Sequence, residues 1–541
     1  MSLQFITGNS GNGKTKYLFN RIVKEAKANP RDNYLVIVPE QFTMQTQRQL
    51  VDLSENKAIM NIDVLSFKRL AYRVFDELGI TNLTVLEETG KNLVLRKLAA
   101  QEADKLGVIG RNLNRIGYIS EVKSLLSELV QYNISPEELG RYIASGRLSD
   151  TLSDKLKDVL VLYEAFEKFM QDKYITAEEI LNVLSNVAEE SAILRNSVIA
   201  FDEFTGFTPI QNQLIKKLFV ISKKIYVTLT IDCREDIFKS RGMQELFDMP
   251  KRTVKSLTEM AAFYGIEVEG PIILDKNYRL AENEELSFME QQLFRKRRCS
   301  FKKVPKHIHI DCLRDPKQEL TKIARRINEL VRNENLRYRD IAIVTGDVNI
   351  YAGYVREIFD KYNIPYFIDA TQEILFHPFI EFIRSIPDIA AQNFSADAVF
   401  RFLRCGFSEL LDSEIDVLEN YVLACGVRGK SAWDKKWVRL PKHKAGYDIE
   451  LLNQSREYIM ELLKPVYQVF SDKKSTVKDY VLAIYKLIVL LDIPDKLAKK
   501  EQALLDAGDQ TASKEYGQIY KIVMQLFEKY VAVLGDECMD A

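Results

Sequence analysis

The sequence predicts an α/β protein in which two strand–helix cores are each interrupted by a helical insertion. Short apolar runs alternate with segments of helical periodicity, which is typical of buried parallel strands joined by right-handed helical crossovers. Two long segments show helical periodicity alone. The chain of 541 residues is also too long for a single hydrophobic core.

Five apolar runs in the first half of the chain predict the strands of the first core. These strands are predicted at residues 3–7, 34–38, 62–65, 197–201 and 224–231. A helix is predicted over residues 14–28, where apolar residues recur at helical spacing. Helical runs at 119–131 and 156–171 predict that residues 85–195 form an insertion between the third and fourth strands.

A second strand–helix pattern begins near residue 308. Strands are predicted at 308–311, 341–344 and 365–368, with a helix near 317–333. From about residue 379 the periodicity is helical to the end of the sequence. The predicted domains are therefore residues 1–84 with 196–294, 85–195, 295–378 and 379–541.

Charge and cysteine content limit the possible environments and partners. The 76 Lys and Arg residues nearly balance 77 Asp and Glu residues, so a nucleic-acid surface would have to be a local groove. The six cysteines form no C-x-x-C pair, which favours free thiols in a reducing compartment. No leader pattern or bilayer-length apolar run is evident, and we expect a cytoplasmic protein without a membrane partner. A basic run at 295–298 is interpreted as a solvated linker, with phosphate contact as the alternative.

The first turn after the opening strand matches the phosphate-loop pattern G-x-x-x-x-G-K-[ST] in full. Its residues are Gly8, Asn9, Ser10, Gly11, Asn12, Gly13, Lys14 and Thr15. Glycines allow successive backbone N–H groups to face one concavity, and the following helix adds its positive N-terminal end. In this pattern Lys14 reaches the β- and γ-phosphates and the Thr15 hydroxyl binds Mg²⁺. The sequence therefore predicts a site for ATP and Mg²⁺.

Two acidic residues end the predicted fourth strand. Asp202 and Glu203 follow the apolar run 198–201, which places them at the carboxyl edge of a parallel sheet beside the phosphate loop. Asp202 is then the predicted Mg²⁺ partner, and Glu203 is the candidate base for the attacking water.

Several stretches together resemble the AddB (RexB) family of the bacterial AddAB helicase–nuclease, relatives of the UvrD and PcrA helicases of superfamily one. They occur in family order at residues 8–15, 38–43, 64–71, 201–209, 336–342, 364–369, 377–378 and 418–423. The P-E-Q-F-T and S-F-x-R-L-A motifs in the second and third stretches are much more specific than the phosphate loop. The resemblance implies two RecA-like domains with helical insertions.

The resemblance also implies a function in processing broken DNA ends for recombination. The partners would be an AddA-like helicase–nuclease subunit in a heterodimer, double-stranded DNA ends and single-stranded DNA that is scanned for the Chi sequence. The family carries a C-terminal nuclease domain held by a [4Fe-4S] cluster. No cluster ligands or nuclease motif match this sequence, so it is expected to be an N-terminal fragment.

The motor motifs depart from those of active helicases. Only two residues precede the first strand, so the adenine-reading glutamine of the relatives has no counterpart. Residues 230–234, at the place of an acid-acid-Gln-Ser motif, contain no glutamine. Asn277, Tyr278 and Arg279 do resemble the motif whose arginine approaches the γ-phosphate, and Arg279 would neutralise charge there. These features predict ATP binding with weak or no motor activity.

The resemblance places the DNA-facing residues around the two specific motifs and just after the acidic pair. Gln41 and Thr43 could hydrogen-bond base edges, and Arg69 could pair with guanine or phosphate. Stacking faces are expected from Phe67, Tyr72, Phe204 and Phe207, although aromatic residues at such positions are often core residues.

Three other functions fit the same motifs. The chain could be a self-sufficient superfamily-one helicase, which the missing glutamine motif disfavours. It could be a P-loop phosphotransferase, although two long helical insertions are unusual for that class. It could also be a non-catalytic scaffold in which bound nucleotide stabilises the fold.

Overall fold

A computed structural model describes residues 1–80, 85–108, 110, 117–145, 148–170, 174–295, 299–369, 374–441 and 447–538. The chain divides into two compact units, Met1–His309 and Ile310–Ala541. The four-part domain division made from the sequence stays a prediction. The fold class is confirmed as α/β, with a parallel sheet and helical insertions.

A parallel sheet of seven strands forms the centre of the first unit. In chain order, the described strands of this unit are β1 Ser2–Gly8, β2 Tyr34–Ile37, β3 Ile62–Leu65, β4 Val85–Leu86, β5 Ile175–Thr176, β6 Val198–Phe201, β7 Lys224–Thr230, β8 Glu267–Val268 and β9 Ile272–Leu274. The large sheet has the order β3-β2-β6-β7-β1-β8, and β9 also pairs with β1. Strands β4 and β5 form a separate parallel pair. The five predicted strands are confirmed, whereas β8 and β9 were missed because they are only two and three residues long.

Helices cover the sheet and build the insertion. Those of the first unit are α1 Lys14–Ala28, α2 Thr43–Leu53, α3 Phe67–Leu78, α4 Glu88–Gln101, α5 Tyr118–Gln131, α6 Pro136–Ala144, α7 Asp150–Met170, α8 Ile180–Val187, α9 Pro209–Ile221, α10 Asp248–Phe263 and α11 Glu284–Gln292. Alternate sheet residues face two separate cores, as the two-residue period of a strand requires. Phe5, for example, packs into the core with α3, α8, α9 and α10, and Ile6 packs into the core with α1.

The segment predicted as a helical insertion contains α4 to α8 and is closed by the β4–β5 pair. A charge network ties its helices together. The buried ammonium of Lys91 on α4 contacts Glu88 at 2.9 Å and Glu178 at 2.6 Å. Both partners compensate the cost of burying this charge.

The second unit is helical in its described residues. Its helices are α12 Pro316–Asn333, α13 Val348–Lys361, α14 Pro378–Ala391, α15 Ala396–Leu403, α16 Asp412–Cys425, α17 Lys430–Asp434, α18 Ile449–Ser471, α19 Val477–Leu490, α20 Ile493–Asp506 and α21 Gln510–Leu534. Helices α12 and α13 share a small core, while α14 to α21 contribute to a larger one.

The strands predicted at 308–311, 341–344 and 365–368 are wrong for the described structure. These segments have no regular secondary structure and form no sheet ladder among the described residues of the chain. Ile310, Val344 and Phe367 within them are at least 90% exposed. Apolar β-branched and aromatic residues favour a strand only when a neighbouring strand pairs with the backbone and covers the side chains.

Candidate functional site

Three neighbouring strands bring the predicted nucleotide residues to one edge of the sheet. In the order β6-β7-β1, the phosphate loop follows β1 and the acidic pair follows β6. Both segments line one cavity of about 640 Å³. Tyr278 and Arg279 line the same cavity. The structure therefore brings together residues that are 270 positions apart in the sequence, as parallel strands must at their carboxyl edge.

The phosphate loop is held from outside by residues 274–279. Gly11 has φ +87° and Gly13 has φ +78°, in the left-handed region that glycine adopts at little cost. The Gly11 carbonyl accepts hydrogen bonds from the Tyr278 N–H at 3.0 Å and the Arg279 N–H at 3.3 Å. The Asn277 side chain donates to the Ser10 carbonyl at 3.0 Å. These contacts fix the path of the loop through its backbone.

The two asparagines of the loop fasten it to the sheet. Asn12 donates to the Leu274 carbonyl at 2.5 Å, and Asn9 donates to Glu290 at 2.9 Å. The Asn9 side-chain oxygen accepts the Cys233 N–H at 2.9 Å. Both asparagines are buried, and the bonds of Asn9 use both ends of its amide, whereas Asn12 Oδ1 has no hydrogen-bond partner among the described residues.

Lys14 lies over the concave side of the loop. Its Nζ donates to the Gly8 and Asn9 carbonyls at 3.1 and 3.0 Å. Burial lowers the pKa of Lys14, and the nearby negative charges of Glu203 and Asp202 oppose that shift. A cation in this position is suited to phosphate oxygens.

The carboxylates of Asp202 and Glu203 lie beside the Thr15 hydroxyl, an arrangement that fits a metal site. The Thr15 hydroxyl lies 3.4 Å from Asp202 Oδ1 and 3.3 Å from Glu203 Oε1. Asp202 is buried, and its Oδ2 has no hydrogen-bond partner among the described residues. Burial raises the pKa of Asp202, whereas hydrogen bonds from Thr228 and Thr15 lower it. An unpaired buried carboxylate oxygen beside a hydroxyl fits Mg²⁺, which takes one or two protein oxygens plus phosphate oxygens and water.

Glu203 and Arg279 complete the predicted catalytic set. Glu203 is exposed to the cavity and has φ +64°, an uncommon conformation for a residue with a Cβ. Arg279 lines the same cavity. The sequence patterns alone predict no individual role for Asn277, Tyr278 or Thr228. The signal for the first two was their place beside Arg279, and for Thr228 it was a polar residue within a buried strand.

Asp232 lies just after β7, and its carboxylate forms ion pairs within the protein. Arg234 and Arg295 bind its carboxylate at 2.6 and 2.9 Å. Burial raises the pKa of Asp232, but the hydrogen bonds from the two arginines outweigh burial and hold it well below its usual range. The carboxylate is therefore engaged within the protein.

The two motifs predicted to face DNA are joined by Glu40. Its carboxylate accepts a hydrogen bond from the Ser66 hydroxyl and an ion pair from Arg69 at 3.2 Å. Gln41 and Arg69 are exposed. Thr43 is buried, and its hydroxyl donates to the Glu40 carbonyl at 3.0 Å. In this arrangement Gln41 and Arg69 are exposed to solvent, whereas the Thr43 hydroxyl is engaged by backbone.

Of the four residues predicted to stack on bases, three form an aromatic cluster and the fourth, Tyr72, lies outside it. Phe67 is buried, with ring centroids 5.6 Å from Phe204 and 6.3 Å from Phe207. Phe204 and Phe207 are half-buried, and Phe204 also lines the nucleotide cavity. Tyr72 is partly exposed on α3. Thus Phe67 packs as a core residue, while Phe204, Phe207 and Tyr72 keep accessible ring surface.

The first half of the chain matches a known protein family. The profile of the family described as "ADDB, N-terminal" matches residues 5–290, more than half of the chain. The chain belongs to the AddB family. This AddB-family match includes the whole cavity and the seven-stranded sheet except for residues 2–4 at the start of β1.

Curated AddB-type relatives match along the whole chain. One from Lachnoclostridium phytofermentans, named as the B subunit of an ATP-dependent helicase/deoxyribonuclease, is 38% identical over 100% of this chain and 48% of the relative. Proteins of the same name from Caldanaerobacter subterraneus and Clostridium acetobutylicum are 32% and 31% identical, each over 99% of this chain and 47% of their own length. The chain thus spans about half the length of the curated relatives it matches.

Other features of the described residues limit further sites in this AddB-family chain. None of its described helices is both long and apolar enough to cross a bilayer. The described part also holds no group of three or more His, Cys, Asp or Glu placed to bind a metal ion.

Proposed function

We propose that this chain is the nucleotide- and DNA-binding region of the B subunit of an ATP-dependent helicase/deoxyribonuclease that processes double-strand breaks for recombination in the cytoplasm. The names of the relatives support the complex, and the cavity supports nucleotide binding. The observation on which the proposal rests is the meeting of Lys14, Thr15 and Asp202 at one sheet edge.

Each residue of the cavity has a defined part in this proposal. Backbone N–H groups of residues 8–15 and Lys14 bind the phosphates, and Thr15 and Asp202 hold the metal. The Mg²⁺ ion, when bound, neutralises charge that develops on the phosphate oxygens. Glu203 accepts a proton from the attacking water, and Arg279 neutralises negative charge on the transferred group. The exposed Tyr278 ring offers a stacking face for the base.

Motor activity is proposed to be weak or absent. Residues 230–234 lack the glutamine that couples phosphate sensing to DNA in active relatives, and Asp232 is bound by two arginines. The main motor would then be the AddA-like partner subunit, with which this chain would form a heterodimer. Slow hydrolysis remains compatible with Glu203 and Arg279 in the cavity.

Single-stranded DNA is proposed to run across the surface formed by Gln41, Arg69, Tyr72, Phe204 and Phe207. Cationic contacts and exposed rings are the usual means of holding a single strand. Gln41 and Arg69 would read base edges of the Chi sequence. The Glu40 link between the two motifs would keep both groups in register.

Nucleotide binding is the first test. A fluorescent ATP analogue should bind the purified chain in the presence of Mg²⁺, and Lys14→Ala should weaken binding at least tenfold because a charge-assisted contact to phosphate is lost. Lys24→Ala, on the exposed side of the same helix, is the control and should leave affinity unchanged. Equal affinities of wild type and Lys14→Ala would contradict the proposal.

A second test separates the proposed scanning subunit from a self-sufficient helicase. The full-length relative of this chain is reconstituted with its AddA-like partner on a blunt-ended duplex. Unwinding should persist when Lys14 is replaced by Ala if the partner supplies the motor. Loss of unwinding in that variant would favour the self-sufficient helicase.

The DNA surface is tested in the same reconstituted complex. Gln41→Ala and Arg69→Ala should blunt the response to Chi while end-unwinding stays largely intact. Arg73→Ala, one turn further along the same helix, is a matched control for loss of positive charge. Equal loss of unwinding and Chi response would count against base reading by these residues.

A further inference from the structure

Thr228 is the one polar residue among the inner residues of a buried strand, and it lies directly beside Asp202. Ile225, Tyr226, Val227 and Leu229 of β7 are all buried apolar or aromatic residues. Parallel pairing of β6 and β7 aligns Phe201 with Val227, so the next residues along each strand are Asp202 and Thr228. A hydroxyl at this position needs a partner, because an unpaired buried hydroxyl is destabilising.

The two oxygens of Asp202 are in different surroundings. Oδ1 accepts a short hydrogen bond from the Thr228 hydroxyl and lies 3.4 Å from the Thr15 hydroxyl. Oδ2 is buried and has no hydrogen-bond partner in the part of the chain that the structure describes. The carboxylate is therefore held through one oxygen, which leaves the other available to a cation or to a water bound to it.

Thr228 is well suited to hold a carboxylate in one orientation. Its β-branched side chain is stiff at χ1, and its backbone is fixed by pairing with both β1 and β6. The Thr228 hydroxyl is already buried in the fold, so it loses no contact with bulk water when it bonds the carboxylate. The orientation of Asp202 is consequently set by the sheet.

We propose that Thr228 is a positioning residue for the metal: its hydroxyl holds Asp202 Oδ1 and so fixes the orientation in which this carboxylate meets Mg²⁺ or a water bound to it. This inference rests on the proposed nucleotide site and adds a residue that neither the phosphate loop nor the acidic pair includes. Residues that orient metal ligands typically contribute about ten- to a hundredfold to metal affinity.

The test measures Mg²⁺ affinity rather than turnover. Binding of a fluorescent ATP analogue to the whole chain is followed while Mg²⁺ is titrated, and again in EDTA. In Thr228→Val the Mg²⁺ midpoint should rise about tenfold or more, while analogue affinity in EDTA stays unchanged. The EDTA measurement also shows that the variant is folded.

Two further variants separate the hydroxyl from packing. Thr228→Ser keeps the hydroxyl and should restore the Mg²⁺ midpoint to within about threefold of the wild type. Thr7→Val removes a buried hydroxyl on the neighbouring strand that has no hydrogen-bond partner among the residues described, and it should leave the midpoint unchanged.

The outcomes distinguish this inference from the proposed function. If the wild-type chain binds no analogue with or without Mg²⁺, the nucleotide site and the role of Thr228 both fail. If the wild type responds to Mg²⁺ but Thr228→Val has the same midpoint, only the role of Thr228 fails. A midpoint raised equally in Thr228→Ser and Thr228→Val would also overturn it, because the hydroxyl would then not be the cause.

Discussion

At the scale of single residues, the phosphate loop packs so closely against Asn277 and Arg279 that there is no room for a side chain at Gly11. A Cβ at Gly11 would lie 2.8 Å from Asn277 Oδ1 and 2.9 Å from Arg279 Cβ. The same residue has φ +87°, where an alanine is strained. Gly11 therefore has two independent reasons to be glycine, one local and one from residues more than 260 positions away.

Gly11→Ala should lower the free energy of unfolding by roughly 2 kcal/mol, because left-handed strain and a steric clash add. It should also weaken ATP binding, since Asn277 and Arg279 have to move. Urea denaturation and analogue binding would measure the two effects. Gly270→Ala is the control: its Cβ would meet no atom of the described residues within 4 Å, and the variant should be near neutral. A Gly11→Ala variant as stable as this control would contradict the close contact.

Asp232→Asn should destabilise the protein by roughly 3 kcal/mol at pH 7, because Arg295 would be left half-paired in a buried position. The pKa of Asp232 is depressed in the folded state, so its contribution is present above the unfolded-state pKa of about 4 and is lost as pH falls below it. Urea midpoints at pH 7, 5 and 3.5 should show a constant difference from wild type at the first two values and a smaller one at the third. A difference that grows on acidification would refute the pairing.

The role of a residue could be predicted from the sequence where a single local pattern indicates that role. The phosphate loop, Asp202 and Glu203 were assigned because a strand must precede each of them. Thr228 was not assigned, since its role depends on the register between β6 and β7. For Thr43 the contact with DNA bases stays a prediction, and the structure adds that its hydroxyl bonds the backbone of its own turn, which residue type alone does not indicate.

At the scale of elements, the junction of the two specific motifs depends on one helix cap. The Ser66 side chain accepts the Arg69 N–H at the start of α3 and donates to Glu40 in the turn before α2. A single buried hydroxyl thus caps a helix and links it to the neighbouring loop. Serine is among the preferred residues at such a position.

Ser66→Ala should lower the free energy of unfolding by about 1 kcal/mol, the usual cost of losing an N-cap. It should also weaken single-strand binding, because Glu40 and Arg69 lose a fixed partner. Urea denaturation and oligonucleotide titration at low salt are the measurements. Ser124→Ala, within α5 and exposed, is the control and should be neutral or slightly stabilising. Equal stability of the two variants would argue against the cap.

Elements were predictable where their environment is local. Helix α1 begins and ends where its apolar periodicity does, and the four-residue strand β3 was bounded correctly from its apolar run. The segments at 341–344 and 365–368 carry equally apolar residues but form no ladder among the described residues. Strand formation there depends on pairing partners, which periodicity along one segment does not contain.

At the scale of the whole molecule, each unit has hydrophobic cores of its own. The two cores on either side of the sheet lie within the first unit, and the two helical cores lie within the second. Every residue assigned to the nucleotide cavity also lies in the first unit. Ligand binding should therefore act on the stability of that unit.

Calorimetry with and without nucleotide tests this arrangement. ATP·Mg²⁺ at one hundred times its dissociation constant should stabilise the first unit by about 2.7 kcal/mol, because the ligand binds only the folded form. The transition that shifts should be the one also lowered by Gly11→Ala. Lys14→Ala, with at least tenfold weaker binding, should reduce the stabilisation to about 1.4 kcal/mol or less at the same ligand concentration. Residues 1–309 expressed alone should bind the analogue with an affinity within about twofold of that of the whole chain. A twofold change in affinity corresponds to less than 0.5 kcal/mol. Loss of binding in that fragment would show that residues after 309 contribute to the site.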